Sequence, residues 1–375
     1  MHVLYFSRDY TPHDHRFLTS LVGAGIDTTF LRLERGARQV EDRPLPPQVL
    51  LASWRGGRIP FRWRDAPGLA VSLRQVIAAV KPDIIHAGPV QTCAFLASLS
   101  GFKPLVTMSW GSDLLKDANR NVWLRLVTRW TLRRTAVLVG DCRAVQQKAA
   151  EFGFSPSRVT LFPWGVDLDR FQPLTGERPL RQRLGWQDSF VLLCLRSWEP
   201  IYGVDVALRG FALAARQEPR LRLILLGGGS QAGLIHQVIE ENELRDRVYL
   251  GGQVRQADLP GYYQESDLYL SASHSDGTSV SLLEALACGK PVLVSDIPGN
   301  REWITQGQEG WFFPDGSVDS LADAILRAVH SPERLPGMSL AARRLAESRA
   351  DWQKNFQRLL AAYQNILPRK ATPRQ

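Results

Sequence analysis

The sequence predicts an α/β protein made of two Rossmann-like, doubly wound domains facing across a cleft. Three observations carry this. At roughly 150 residues per domain, 375 residues make about two domains. Short strand-like runs alternate with helical patterns along the chain, and repeated βα units form parallel sheets. The alternation breaks once, in the turn-rich stretch from Phe162-Pro163-Trp164-Gly165 to Phe171-Gln172-Pro173, and then restarts.

In the first half the expected strands are Val3–Phe6, Thr28–Leu33, Asp83–His86, Leu105–Met108 and Ala136–Val139. Helical patterns lie between them at Arg16–Val22, Leu69–Val80, Gln91–Leu99 and Arg120–Leu132. A further helix follows Val139, with Asp141 as its cap and Gly153 at its end. In the second half the strands are Phe190–Leu195, Leu221–Leu226, Val248–Leu250, Asp267–Ser271, Val292–Ser295 and Trp311–Phe313. The chain ends helical from about Leu321 to Leu367, with a break near Pro332–Pro336, before a polar tail at Pro368–Gln375. Ligands of such sheets bind beyond the carboxyl ends of the strands, so the loops after strands are where chemistry is expected.

Composition narrows the class. The chain is 44% hydrophobic and 22% charged, enough to bury a sizeable core and too apolar for disorder. Mean hydropathy is −0.17, and no apolar run approaches the ~20 residues of a spanning helix. The run Met1–Phe6 is too short for a signal peptide. Cys93, Cys142, Cys194 and Cys288 are far apart with no C-x-x-C, which suggests neither disulfides nor zinc, and a reducing, cytoplasmic setting is expected.

The net charge of +9 is unevenly placed. Residues 1–172 hold 23 Lys and Arg against 14 Asp and Glu, whereas the remainder holds 23 against 23. The surplus gathers in Arg32, Arg35, Arg38, Arg43, Arg55, Arg58, Arg62 and Arg64, interleaved with Trp54, Phe61 and Trp63. It gathers again in residues 120–134, where Arg125, Arg129 and Arg133 repeat every four residues and line one helix face, with Trp123, Val127 and Trp130 on another. Arginine beside tryptophan suits an anionic membrane surface, through residues 54–64 and 120–134, or a phosphate-bearing partner. An ordinary solvated face is the bland alternative. No nucleic-acid module is evident, so no nucleic-acid partner is expected.

Among motifs, Gly227-Gly228-Gly229-Ser230-Gln231-Ala232 matches G-x-G-x-x-[GA]. It follows the second strand of its half, where a glycine turn or a loop near a phosphate is the better reading than a dinucleotide fingerprint. Asp167-Leu168-Asp169 has D-x-D spacing inside the linker and reads as a turn, so no metal is expected. The richest stretch is SASHSDGTSVSLLEALACGKPVLVSD, from Ser271 to Asp296. There a strand ends, a small polar loop follows and a helix begins near Val280. Backbone N–H groups of Gly277, Thr278, Ser279 and Val280 would form an anion site suited to a diphosphate. Asp276 and Glu284 could bind hydroxyls of neighbouring ligand groups, against the alternatives of an Asp-Gly turn and a capping box Ser281-Leu282-Leu283-Glu284. Arg196, just after a strand, is placed to neutralise phosphate. His13, His15 and His86 lie at or after strand ends, where a histidine is more often structural.

With these residues in view, nearly the whole chain resembles a family 4 glycosyltransferase of the GT-B fold. The most specific match is Asp276-(seven residues)-Glu284, followed by Ile297-Pro298-Gly299-Asn300-Arg301-Glu302, which is similar to the family's E-x7-E region. Leu195-Arg196, Gly203-Val204-Asp205, Gly165-Val166-Asp167 and Trp110-Gly111-Ser112-Asp113 support it. The resemblance implies an acceptor-side domain at 1–172, a nucleotide-sugar domain at 173–350 and a terminal helix at 351–367 returning to the first domain.

It also implies retaining transfer from a nucleoside-diphosphate sugar, taken as a UDP-sugar, without metal or cofactor. Glu284 would hold the ribose and Asp276 the donor sugar. Arg196 and the helix N-terminus would hold the diphosphate. Gly252 and Val254 would meet the base, with Gly228 and Tyr202 also lining the donor. His15, Arg16, His86, Trp110 and Asp113 would lie on the acceptor side. Departures from the family pattern are Asp276 in place of Glu, Tyr202 in place of a lysine, and Trp110 in place of a histidine. Alternatives are a GDP-mannose-dependent mannosyltransferase, a UDP-GlcNAc-type isomerase of the same fold, and a non-catalytic relative. The expected location is cytoplasmic, peripheral on the inner face of the membrane.

Overall fold

The computed structural model describes residues 1–34, 41, 43–57, 60–173 and 176–367. Arg35, Arg38 and Arg58 of the arginine series, and the tail Pro368–Gln375, lie outside them. The chain forms two compact units, Met1–Phe162 with Phe356–Gln375, and Pro163–Asn355. The linker residues 163–172 thus group with the second unit.

The first unit holds seven parallel strands, β1 (His2–Ser7), β2 (Asp27–Arg32), β3 (Leu50–Leu51), β4 (Ile84–Ala87), β5 (Leu105–Met108), β6 (Val137–Gly140) and β7 (Val159–Leu161). Their order is β3-β2-β1-β4-β5-β6-β7, so the winding reverses between β1 and β4. Both inner strands are buried on both faces, as helix-covered parallel sheets require. Leu4, Phe6, Leu31, Leu73, Ile85, Leu96 and Leu105 form part of one core.

Strands β3 and β7 were not expected. Two and three residues leave no alternation to read, and their partners β2 and β6 define them. The expected cap Asp141 is corrected as well. The helix is Arg143–Glu151, its N-cap is Cys142 with no side-chain capping bond, and Gly153 follows it with φ +82°. The helix expected at Gln91–Leu99 opens as a π turn, Val90–Ala94, before Phe95–Ser100. Trp54, read as one of the surface tryptophans, is buried. It packs edge-on against Phe6 and donates to the Arg32 carbonyl at 2.6 Å.

The second unit holds six parallel strands, β8 (Phe190–Cys194), β9 (Leu221–Leu226), β10 (Val248–Gly252), β11 (Leu268–Ser271), β12 (Val292–Ser295) and β13 (Gly310–Phe313), in the order β10-β9-β8-β11-β12-β13. Here the winding reverses between β8 and β11, whose register pairs Leu192 with Leu268. Two doubly wound parallel sheets are therefore present, as the sequence predicts. The loops leaving β8 and β11 are neighbours at the switch point, the place where such sheets take ligands. Among the described residues no helix is long and apolar enough to cross a membrane.

Candidate active site

Arg196 leaves the end of β8, and Asp276 lies on the loop after β11. The Arg196 guanidinium donates to Asp276 Oδ2 at 2.5 Å, to Ser279 Oγ at 2.8 Å and to Ser281 Oγ at 3.2 Å. Its flat face lies 4.2 Å from the centre of the Tyr202 ring, a cation–π contact. Burial alone would lower the guanidinium's pKa, but Asp276 together with Tyr202, Tyr269 and Cys194 more than offsets this, so Arg196 stays charged. The pair is mostly sheltered, with side chains 12% and 18% exposed.

Two close approaches hold this arrangement. Gly227 and Gly229 have positive φ, and a Cβ there would come within 2.5 Å and 2.6 Å of the carbonyl oxygens of Arg196 and Trp198. The glycine run is thus the seat of the Arg196 loop, which accounts for its resemblance to a dinucleotide fingerprint. Gly299, in the Ile297-Pro298-Gly299 turn, lies so close that a Cβ would sit 2.3 Å from the Gly277 carbonyl.

The helix after this loop is Val280–Ala287. Its cap is Ser279, whose hydroxyl accepts from Leu282 N–H at 3.4 Å. Glu284 therefore takes no part in a capping box with Ser281. It is 4% exposed, and Tyr263 donates to its Oε2 at 3.0 Å. Burial and that carboxylate push the Tyr263 phenol well above its ordinary pKa, so it remains a donor. Ser281 Oγ also meets the hydroxyl of buried Tyr269 at 2.8 Å. Gly277 and Thr278 are buried beside the cap, and Val280 is half-buried. Gly252 accepts from Gly227 N–H at 2.7 Å, and Gly228 accepts from Trp198 N–H at 2.9 Å. Val254 is half-buried in the loop after β10. The switch point between β8 and β11 thus brings together Arg196, Tyr202, Asp276 and Ser279, whereas Gly228, Gly252 and Val254 lie in the loops after β9 and β10. The Asp167 carboxylate accepts from the N–H of Asp169 and Arg170, which makes Asp167-Leu168-Asp169 a turn.

Sequence reasoning missed Ser281, Tyr263, Tyr269 and the His274–Asp315 pair, whose Nδ1···Oδ1 distance is 2.7 Å. Only the density of hydroxyls in SASHSDGTSVS hinted at the first.

The acceptor-side residues separate by depth. His86, on β4, is fully buried, its Nδ1 meets Tyr363 Oη, and burial pushes its pKa down to about 3. Asp113 is buried too. It accepts from the N–H groups of Val90, Trp110 and Leu114 at 3.0 Å and from Ser109 Oγ at 2.6 Å, a brace for the loop after β5. Neither presents a reactive atom to the surface. His15 and Arg16 are half-buried on the helix Pro12–Gly23, and His15 Nδ1 lies 2.6 Å from Tyr10 Oη. The Trp110 ring packs against His13 and Phe17. Among the described residues no three His, Cys, Asp or Glu side chains cluster as metal ligands would.

Comparison with known proteins places the fold. Residues 13–170 match the model described as Glycosyltransferase Family 4, and residues 177–345 match Glycosyl transferases group 1. A D-inositol 3-phosphate glycosyltransferase of Kineococcus radiotolerans is 30% identical over 60% of this chain, which spans 55% of that relative. A GDP-mannose-dependent alpha-(1-6)-phosphatidylinositol monomannoside mannosyltransferase of Mycolicibacterium smegmatis is 26% identical over 78% of this chain and 79% of its own length. Among solved structures, Anabaena HepE in complex with UDP-glucose superposes with a TM-score of 0.80 at 19% identity, over 98% of this chain and 100% of that one. Sucrose-phosphate synthase of Thermosynechococcus elongatus gives 0.81 at 17%, over 98% and 99%. The fold is that of the GT-B glycosyltransferases, and the chain belongs to family 4.

Proposed function

We propose that this family 4 glycosyltransferase moves a sugar from a UDP-sugar, with retention at the anomeric carbon, to a lipid-linked or phosphate-bearing acceptor at the inner, anionic membrane surface. The observation that carries the reading is the Arg196 cluster at the β8–β11 switch point, with Asp276, Ser279, Ser281 and Glu284 around it.

Each part has a role that its chemistry suits. The donor's diphosphate takes the Arg196 guanidinium from Asp276, exchanging one anionic partner for another. Asp276, released, accepts from hydroxyls of the sugar. Glu284 accepts from the ribose diol. When the bond from the anomeric carbon to the diphosphate oxygen breaks, the electron pair stays on UDP. Arg196 and the N-terminus of Val280–Ala287 face that growing charge, and the acceptor hydroxyl, approaching from the same face, passes its proton to the departing diphosphate oxygen as its own oxygen bonds to the sugar. This charge is met by Arg196 without a metal ion. The UDP choice is supported by the UDP-glucose complex of Anabaena HepE, and the phosphate-bearing acceptor by the names of the two relatives and by the basic surplus of the first half.

The test is thermal stabilisation by UDP, GDP and ADP and their sugars. A ligand at 100 times its Kd stabilises the folded state by about 2.7 kcal/mol. Stabilisation by UDP supports the reading. Stabilisation by GDP alone moves the donor to GDP-mannose, and no response to any nucleoside diphosphate overturns it. NMR of the product anomer decides retention.

A further inference from the structure

The helix Val122–Arg134 has one face packed and another bare. Val127, Thr128, Thr131 and Leu132 are buried within the first unit. On the far side Val122, Trp123, Leu126 and Trp130 are 76%, 51%, 56% and 41% exposed. At about 100° per residue these four fall in one arc roughly 100° wide, opposite the buried set. Exposed Arg125 and Arg129 run along one border of the arc, and exposed Arg133 falls just inside it at the helix's C-terminal end. Arg134 closes the other border, its guanidinium 3.2 Å from the centre of the Trp130 ring. The stripe continues beyond the helix, because Trp63 packs edge-on against Trp123 and Phe61 against Trp63, with exposed Arg62 and Arg64 alternating.

Beside the stripe is a hollow of about 280 Å³ lined by Asn119, Arg125, Arg129, Glu151 and Phe152. Glu151, the acidic member, is engaged by Lys148 at 2.6 Å, so the two arginines set its polarity. An apolar stripe bordered by arginines, with a basic hollow at its edge, matches one kind of surface: acyl chains lying under anionic phosphates. A second copy would bring two arginine rows together. A nucleic acid would leave Val122 and Leu126 without an apolar partner.

We infer that Val122–Arg134 is the element that seats this protein on an anionic phospholipid surface. Val122, Trp123, Leu126 and Trp130 lie at acyl depth, and Arg120, Arg125, Arg129 and Arg133 meet lipid phosphates. The inference rests on the membrane-surface reading above and assigns that reading to one helix.

The experiment is sedimentation of the full chain with vesicles of phosphatidylglycerol and phosphatidylcholine, or of phosphatidylcholine alone, at low and high salt. Wild type, Leu126→Asp and the triple variant Arg55→Gln/Arg62→Gln/Arg64→Gln are compared. A Leu126→Cys variant carries an environment-sensitive dye, which reaches that position selectively because Cys93, Cys142, Cys194 and Cys288 are buried. The expected result is salt-sensitive binding of wild type to the anionic vesicles, about a tenfold loss in Leu126→Asp, and a blue shift of the dye. Binding by Leu126→Asp at wild-type strength, with loss in the triple variant and no blue shift, overturns this helix as the seat and leaves the membrane-surface reading standing. Failure of wild type to bind anionic vesicles at low salt overturns both. So does tight binding of an oligonucleotide that displaces the vesicles, which would name nucleic acid as the occupant. UDP affinity equal to wild type shows that each variant is folded.

Discussion

Arg196 and Asp276 meet at 2.5 Å although 80 residues separate them, one leaving β8 and the other following β11. Strand order makes them neighbours, since the winding reverses between those two strands. In the proposed function the donor's diphosphate competes with this carboxylate for the guanidinium. A guanidinium held by a carboxylate, two serine hydroxyls and a tyrosine ring is already oriented and mostly dehydrated, so a phosphate that displaces the carboxylate finds the charge in place.

Asp276→Asn removes the competing charge and keeps the shape. UDP affinity should hold or tighten several-fold, while kcat with a UDP-sugar drops on the order of a hundredfold as the carboxylate's hold on the sugar is lost. Calorimetry with UDP and steady-state rates check this. A collapse of UDP affinity would mean that Asp276 does not compete for Arg196. In the companion variant, Arg196→Ala, kcat/KM should fall by about a hundredfold or more, the usual scale for losing one oriented charge donor to a leaving group.

Glu284 and the cap can be separated because Ser279, not Ser281, caps the helix. Ser279→Ala should cost about 1 kcal/mol of stability. Glu284→Ala should abolish detectable UDP affinity. Tyr263→Phe should fall between, costing about 1 kcal/mol by removing the bond that holds the Glu284 carboxylate and weakening UDP less than Glu284→Ala does. Urea melts and UDP titrations of the three variants give the ranking. A Glu284→Ala protein that binds UDP normally would remove the ribose role.

The residues that carried the prediction of the site were those whose spacing is local. Asp276 and Glu284 bracket a helix start, and a strand end followed by small polar residues marks the expected anion site within a dozen positions. What the sequence hid depends on contacts far along the chain. Tyr263 reaches Glu284 from another helix, 21 residues earlier. Trp54 reads as a surface aromatic among arginines, yet its indole N–H finds the Arg32 carbonyl and its ring finds Phe6. Asp113 is expected on the acceptor side beside Trp110, yet backbone N–H groups converge on it. The fold was readable because parallel strands buried on both faces are continuous apolar runs. Strands β3 and β7 were not, because their few residues are ordered by the neighbour they pair with.

The proposed role of Arg196 in meeting the diphosphate charge predicts transfer without a metal ion. Transfer rates should be unchanged, within about twofold, after dialysis against EDTA and on adding back Mg²⁺ or Mn²⁺. A rate that vanishes with the chelator and returns with one metal would show that Arg196 does not suffice.

Two buried groups in the first unit should pull acid stability in opposite directions. Tyr5 links them, since its hydroxyl donates to Asp14 Oδ1 at 3.0 Å and its ring packs edge-on against His86. Burial pushes His86 down to about 3, so the folded state keeps it neutral. An unfolded chain protonates that histidine near pH 6.5, and the stability it contributes is present above that pH and lost as pH falls towards 3. At pH 5 the loss is about 2 kcal/mol. Burial pushes Asp14 up to about 6, against hydrogen bonds from Thr11, Ser7 and Tyr5 that hold it down. The folded state therefore takes up this proton first. The stability Asp14 contributes is full below about pH 3.8 and lost as pH rises through 6, which returns about 1 kcal/mol at pH 5. Wild type should then lose only about 1 kcal/mol through this pair between pH 7.5 and 5. Asp14→Asn should steepen that arm to about 2 kcal/mol, and His86→Gln should reverse it to a gain of about 1 kcal/mol. Each change is measured against the variant's own value at pH 7.5, which cancels the packing cost of the substitution. Urea melts at half-unit steps of pH give the slopes. Parallel curves for the three proteins would show that neither group keeps its shifted proton affinity in the folded state.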